Sequence, residues 1–198
     1  ASQQLRTPLT ALRLRLENLE AAIPPAAAGD LQAAAAETGR LARLVDGLLT
    51  LARVEAAPTR REVVDLATVV ADRRAVWAPL AAEQDVELTF QPGPAAPVWA
   101  LPGALEQVLD NLLANALRST PTGNQIELAI RQAGGWVELH VTDHGPGTPA
   151  DPRQRAFDRF WRAPSAGPDG TGLGLAIVRQ LLEASGGIAE LRPNPGGG

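Results

Sequence analysis

Three glycines at alternate positions, Gly170, Gly172 and Gly174, run directly into the apolar helical pattern Leu175-Ala-Ile-Val178. A residue without a Cβ lets the backbone turn tightly and approach a ligand closely. A helix that starts there aims unpaired N–H groups and the positive end of its dipole at whatever sits above the turn, an arrangement suited to a phosphate. A glycine run that opens a helix is also what a plain turn and helix cap look like. The constraint on the fold therefore comes from the segments that accompany it.

Two upstream segments share its logic. Asp143-His-Gly-Pro-Gly147 follows the alternating, strand-like run Trp136-Val-Glu-Leu-His-Val-Thr142. An acid at a strand end followed by glycines can accept a hydrogen bond from a ligand while the backbone makes room. In Glu106-Gln-Val-Leu-Asp-Asn-Leu-Leu-Ala-Asn-Ala116, Asn111 and Asn115 are one helical turn apart and share a face, whereas Leu109, Leu112, Leu113 and Ala116 lie largely on the other. Two amide oxygens on one face suit a hard cation such as Mg²⁺. Taken singly, the first segment also reads as a surface turn and the second as a solvated helix face.

In this order the three segments resemble the nucleotide-binding boxes of the histidine kinase ATPase superfamily. Residues 106–116 resemble the asparagine box, Asp143-x-Gly145-x-Gly147 the first glycine box, and Gly170-x-Gly172-x-Gly174 the second. Between them, Arg155-Ala-Phe-Asp-Arg-Phe-Trp-Arg162 resembles the phenylalanine box of sensor kinases, with Phe157 and Phe160. This part of the resemblance covers roughly residues 61–192. The N-terminus narrows the branch. Ser2-Gln-Gln-Leu-Arg-Thr-Pro-Leu9 is similar to the sensor kinase motif Ser-His-Glu-Leu-Arg-Thr-Pro-Leu, with Leu5 to Leu9 matching as they stand. Chaperone, mismatch-repair and topoisomerase members of the superfamily do not carry that segment. The chain thus resembles the cytoplasmic catalytic core of a bacterial sensor histidine kinase, a soluble fragment of an inner-membrane-anchored receptor.

One departure outweighs the others. The histidine that takes the γ-phosphoryl group in this family falls on Gln3. An imidazole nitrogen has a free lone pair, whereas that of an amide nitrogen is delocalised into its carbonyl, so Gln3 cannot form the phosphoramidate. Gln4 stands at a position that is usually acidic, which removes a general base. The other histidines, His140 in a strand-like run and His144 within the first glycine box, do not replace the missing acceptor. Thr7, one turn after Gln3, occupies the position from which the family orients water against a response regulator's aspartyl phosphate. A bond from Thr7 back to the helix carbonyl freed near Pro8 accounts for it equally well.

The remaining roles are what the resemblance implies. Asp143 accepts from the adenine amino group, and Asn115, helped by Asn111, holds Mg²⁺ between the phosphates of ATP or ADP. Arg118 reaches phosphate oxygens, and the amides around Gly172, Leu173 and Gly174, in the loop that also holds Gly170 and Thr171, cradle phosphate. Arg159 and Arg162 close from a lid over 148–169. Ser119 stands where an aromatic residue often stacks on the base, and Thr148 replaces an aliphatic after the first glycine box.

Length bounds the chain to one or two domains, since it has 198 residues with an apolar fraction of 45%. The expected division is a dimerisation and phosphotransfer hairpin over 1–57 and a catalytic ATP-binding domain over 61–198. In the first helix Leu5, Leu9, Leu12, Leu16, Leu19 and Ile23 step by 4, 3, 4, 3 and 4, a heptad-like stripe. Pro8 interrupts its bonding, at a typical cost of ~3 kcal/mol in a helix interior. Pro24-Pro25 and Gly29 end this helix, and Asp30 is the expected N-cap of a second helix reaching Glu55, with a stripe at Leu31, Thr38, Leu41, Val45, Leu48 and Ala52. Two amphipathic helices on a short connection cannot bury both faces alone. A homodimeric four-helix bundle is the expected remedy, and packing of the hairpin against its own catalytic domain is the alternative.

Residues 56–60 read as a linker. Strands are expected near 62–66, 86–90, 97–100, 125–131, 136–142 and 188–192, and helices near 67–82, 103–118 and 172–185. The fold class is α+β: an antiparallel helical hairpin followed by an α/β sandwich of the histidine kinase/Hsp90-like ATPase type. The family's further strand after the glycine-rich end is not expected in a chain ending at Gly198. Cysteine is absent, which excludes disulfides and cysteine–zinc sites, and a net charge of −4 speaks against a nucleic-acid partner. All 18 basic residues are arginine, a mark of a GC-rich genome more than of a function. No apolar run approaches ~18 residues, so a membrane is reached only through segments outside this sequence. The expected partners are a second copy of the chain and a response regulator receiver domain. Two functions fit: an ATP-dependent protein-histidine kinase whose acceptor has been substituted, or a natural nucleotide-binding pseudokinase that signals by conformation.

Overall fold

A computed structural model describes residues 2–20, 23–56, 60–147, 155–163 and 170–194; at 2–6, 9, 13, 20, 25, 55 and 56 the description is of the backbone alone. Helix α1 (Ser2–Glu20) and helix α2 (Ala28–Ala56) form the hairpin, joined through a short 3₁₀ turn, Pro25–Ala27. That turn starts α2 two residues before the expected N-cap. Asp30 therefore lies in the first turn rather than capping it, where its charge still opposes the helix dipole favourably.

The second half of α2 does not stand apart. Leu51 packs with Leu101, Val108, Leu173, Ile177 and Leu181 in one apolar cluster, which Leu44 and Val54 flank. The Gln107 side-chain amide donates to Thr50 Oγ1 at 3.1 Å. Within one chain, the second half of α2 thus packs against the α/β part that follows it.

The catalytic part opens with β1 (Glu62–Asp65), α3 (Leu66–Glu83), β2 (Glu87–Phe90) and β3 (Pro97–Ala100), then α4 (Ala104–Ser119), β4 (Gln125–Ala133), β5 (Trp136–Asp143) and α5 (Gly174–Ser185). Strands β1 and β3 form an antiparallel pair; β2, β4 and β5 form a second sheet, parallel between β2 and β4 and antiparallel between β4 and β5. The Gly134-Gly135 turn sets Ala133 opposite Trp136 and so fixes the register that places Asp143 opposite Ile126. Along β4, Ile126 and Leu128 are buried and Glu127 is exposed, the period-2 pattern of a sheet with one covered face.

Helix α4 is the keystone. Its Leu105, Leu109, Leu113, Ala116 and Leu117 join Val69 and Val70 of α3 over Leu88, Ile126 and Leu128 of the sheet. Its Ala104 and Val108 face the second cluster with α2 and α5. With both flanks apolar, α4 leaves a single strip, carrying Asn111 and Asn115, for the site. Asp65 ties the entry to this core: its carboxylate accepts from Ala96 N at 2.8 Å and Thr68 Oγ1 at 2.9 Å, and caps α3 through Ala67 N at 3.3 Å.

One expected element is absent. Residues 188–194 carry no strand. Ala189 packs against the second cluster while Ile188 stays exposed, so this stretch is anchored by one side chain rather than by a ladder. Of the expected lid, only 155–163 lies within the described residues; the linker positions 57–59 and Thr148 lie outside them.

Candidate nucleotide-binding site

The asparagine strip of α4, the end of β5 and the start of α5 face one open cavity of about 1730 Å³, with α2 along its rim. Asn111 spends its amide nitrogen on Gln107 O at 2.7 Å, leaving Oδ1 as a free-standing acceptor near the start of α5. One turn on, Asn115 Oδ1 accepts from Arg118 Nη2 at 3.3 Å. Both amides, Arg118 and Arg162 line the cavity.

At the opposite wall, the strand ladder delivers Asp143. Its Oδ1 accepts from Gly145 N at 2.9 Å, an Asx-type turn that aims the carboxylate. Gly145 itself is buried below the cavity rather than on it: a Cβ there would lie 2.6 Å from Ser119 O and 2.7 Å from Asp143 Oδ1. Glycine at 145 therefore lets the turn after β5 lie flat on the end of α4. Gly147 and Pro146 line the cavity. Ser119 points its hydroxyl at Asn115 O and Ala116 O, at 3.1 and 3.0 Å, and offers no stacking surface.

The glycine run closes the site. Gly170, Thr171, Gly172, Leu173 and Gly174 all line the cavity. Gly172 adopts φ +69°, and a Cβ there would lie 2.7 Å from the backbone carbon of Phe160. Its carbonyl accepts from Phe160 N at 2.9 Å, which pins the loop to the phenylalanine segment. Phe157 of that segment is buried, while Phe160 is exposed at φ +66°. Leu173 is 1% exposed, held under α2 and α5. Helix α5 begins with no side-chain cap, so its first N–H groups are open to an anion.

Arg159 is not brought to the cavity. Its guanidinium turns to Gln180 Oε1 at 3.4 Å, on the flank of α5. The three acceptor-helix positions, Gln3, Gln4 and Thr7, lie on the first two turns of α1, where only the Thr7 side chain is among those described, and it does not line the cavity. Among the remaining histidines, His140 Nε2 is 3.0 Å from Glu138 Oε2, and His144 Nε2 is 3.7 Å from Glu127 Oε1. Arg43 and Asp46 of α2, and Asn194, reach the cavity without any signal in the motifs. The helix residues were hidden because a heptad stripe sorts a helix only into seam and surface.

The first 57 residues match the family model described as His Kinase A (phospho-acceptor) domain, and residues 100–198 match that described as histidine kinase-, DNA gyrase B-, and HSP90-like ATPase. Sensor protein DivL of Caulobacter vibrioides is 36% identical over 100% of this chain and 26% of its own length. Signal transduction histidine-protein kinase/phosphatase MprB of Mycolicibacterium paratuberculosis is 34% identical over 100% of this chain and 39% of its own. The chain thus spans well under half the length of either relative. Full-length ShkA in complex with AMPPNP superposes with a TM-score of 0.68 at 30% identity, covering 93% of this chain and 40% of that one. For the Acinetobacter baumannii histidine kinase AdeS the values are 0.63 and 25%, covering 91% and 86%.

Proposed function

This chain belongs to the sensor histidine kinase family, and from that premise we propose that it binds Mg-ATP or ADP in the cavity between α4, β5 and α5 but does not autophosphorylate. The observation that carries the reading is the convergence of Asn111, Asn115, Asp143 and the Gly170–Gly174 loop on one cavity beneath an uncapped helix start. Asp143 accepts from the adenine amino group, and the amides of Gly172 to Gly174 with Arg118 and Arg162 take phosphate oxygens. ShkA, similar along most of this chain, was crystallised with AMPPNP.

The chemistry of the donors fits Mg²⁺. Asn111 and Asn115 offer neutral, hard oxygens, and among the described residues no cluster of three acidic or histidine side chains stands ready to hold a metal alone. Mg²⁺ keeps most of its shell as water and phosphate oxygen. The ion therefore enters with the nucleotide, its charge balanced by phosphate. When bound, it neutralises the phosphate charge; the chain's own residues orient the γ-phosphoryl group.

With histidine in place of Gln3, the chain is a protein-histidine kinase that passes its phosphoryl group to a response regulator, as a homodimer. Gln3 removes the nucleophile and leaves the nucleotide site untouched. The second reading, a nucleotide-binding pseudokinase, is favoured by the seating of α2 on α5, which gives nucleotide occupancy a mechanical path to the hairpin. Calorimetry with Mg-ATP tests binding: millimolar-or-tighter affinity is expected, weakened in Asp143→Asn, and no heat at saturating nucleotide would refute it. Label from γ-labelled ATP tests the acceptor. The chain stays unlabelled and Gln3→His gains an acid-labile, base-stable label; a labelled parent would refute the assignment.

A further inference from the structure

Among the described residues, strand β5 pairs with β4. Its last residue is Asp143, where the ladder gives way to the turn that carries Gly145. Two side-chain hydrogen bonds among the described residues meet at this junction. Gly145 N–H orients carboxylate Oδ1 from within the turn. From the far end of the chain, Asn194 Nδ2 donates to the Asp143 carbonyl oxygen at 3.2 Å, across 51 residues of sequence. A carbonyl has no proton to give, so the partner settles which end of the Asn194 amide faces it. Asn194 is half-buried and lines the cavity. The Asn194 side chain thus supplies an N–H to the β5 edge at Asp143.

We propose that Asn194 is a positioning residue for base recognition: by fixing the Asp143–His144 peptide it aims the Asp143 carboxylate at the exocyclic amino group of adenine. This rests on the reading of Asp143 as the adenine acceptor. The physical link is short. The held peptide sets the direction in which the chain leaves β5, and that direction places Gly145 N–H against Oδ1. With Asn194 removed, the peptide rotates freely, Gly145 N–H drifts, and the carboxylate loses its orientation while the rest of the cavity is unchanged. The consequence is selective. Affinity for a nucleotide that donates from position 6 of the purine falls, and affinity for one that does not is kept.

The test uses the whole chain with Mg-ATP and with the Mg-triphosphate of purine riboside, which lacks the 6-amino group. Asn194→Ala removes the donor, and Asn194→Leu removes it at similar size without adding a charge to the cavity. Loss of one hydrogen bond of ordinary strength predicts ATP affinity reduced about fivefold in both variants, with the purine riboside triphosphate bound as in the parent. Asp143→Ala, which leaves no side-chain acceptor, separates the two levels. If it leaves the parent's preference for ATP over the analogue intact, the reading of Asp143 fails and the role of Asn194 fails with it. If Asp143→Ala abolishes that preference but the Asn194 variants keep it, the positioning role alone is overturned. Equal weakening of both nucleotides in the Asn194 variants would also overturn it, because a residue that merely holds the fold together cannot tell one base from another.

Discussion

At the residue scale, Gly172 and Asp65 show two different ways in which one residue fixes the local backbone. Gly172 is fixed by exclusion: a positive φ costs an L-residue ~1–2 kcal/mol, and here the Phe160 backbone also occupies the place of a Cβ. Asp65 acts by attraction. The Ala96 N–H, followed by the Thr68 hydroxyl and the amides of Ala67 and Thr68, holds its carboxyl below the usual carboxylate range, against a smaller opposing effect of burial. A folded-state value below the unfolded one means that the stabilisation is complete above the unfolded value, roughly 3.9, and is lost as pH falls through the folded one. The melting temperature of the parent should therefore drop as pH is lowered below ~4. In Asp65→Asn it should start lower at neutral pH and fall less steeply; identical acid profiles would refute the role. The N-cap pattern at Asp65 was within reach of the sequence, but its bond to Ala96 was not, because that partner is 31 residues away.

At the element scale, α2 has two interior glycines in opposite situations. A Cβ on Gly39 would meet only the flexible Arg43 guanidinium, at 3.5 Å. One on Gly47 would meet Leu173 Cδ1 at 3.0 Å and Ile177 Cδ1 at 3.3 Å. Alanine in a helix interior is worth ~0.5–1 kcal/mol over glycine, so Gly39→Ala should raise the melting temperature. Gly47→Val should instead pry α2 from α5. Because Leu173 sits in the phosphate loop, that variant should bind Mg-ATP differently from the parent. Unchanged affinity, together with unchanged protease protection of α2, would show that the seating is not coupled to the site. The leucine stripes make a further claim on these helices. Leu12, Leu19, Leu41 and Leu48 remain 45, 48, 43 and 43% exposed in a single chain, apolar area that a second copy would cover. Replacing Leu12 and Leu16 with Glu puts like charges in that seam, and light scattering should then report monomers; a parent already monomeric at high concentration would contradict the four-helix bundle.

At the scale of the whole molecule, the phospho-acceptor and ATPase family models match different residues, 1–57 and 100–198; on the proposed function, one activity can then be lost without the other. Orienting water against an aspartyl phosphate needs a hydrogen bond and no nucleophile. Thr7, exposed one turn along α1 from Gln3, supplies a hydroxyl, and MprB carries kinase and phosphatase together in its name. The expectation is weak acceleration of dephosphorylation of a cognate phosphorylated regulator, reduced in Thr7→Ala. Equal rates for the two proteins would leave Thr7 bonded back to its own helix and nothing more. No described helix is long and apolar enough to cross a membrane.

What the sequence determined by itself was most of the local pattern, though not the N-cap of α2 or the strand expected over 188–192. Alternating glycines before an apolar run, two asparagines at helical spacing and an acid ending an alternating stretch located the boxes, because turns, helix faces and strand ends are decided by residues within a few positions of each other. Tertiary structure alone decided which of these groups meet. It turned Arg159 away to Gln180 and brought Arg43 and Asp46 of the hairpin to the rim. It left residues 188–192 without the expected strand, and it joined Asn194 to Asp143. Such contacts depend on how two layers and a hairpin close around α4, and no local pattern of residue types carries that information.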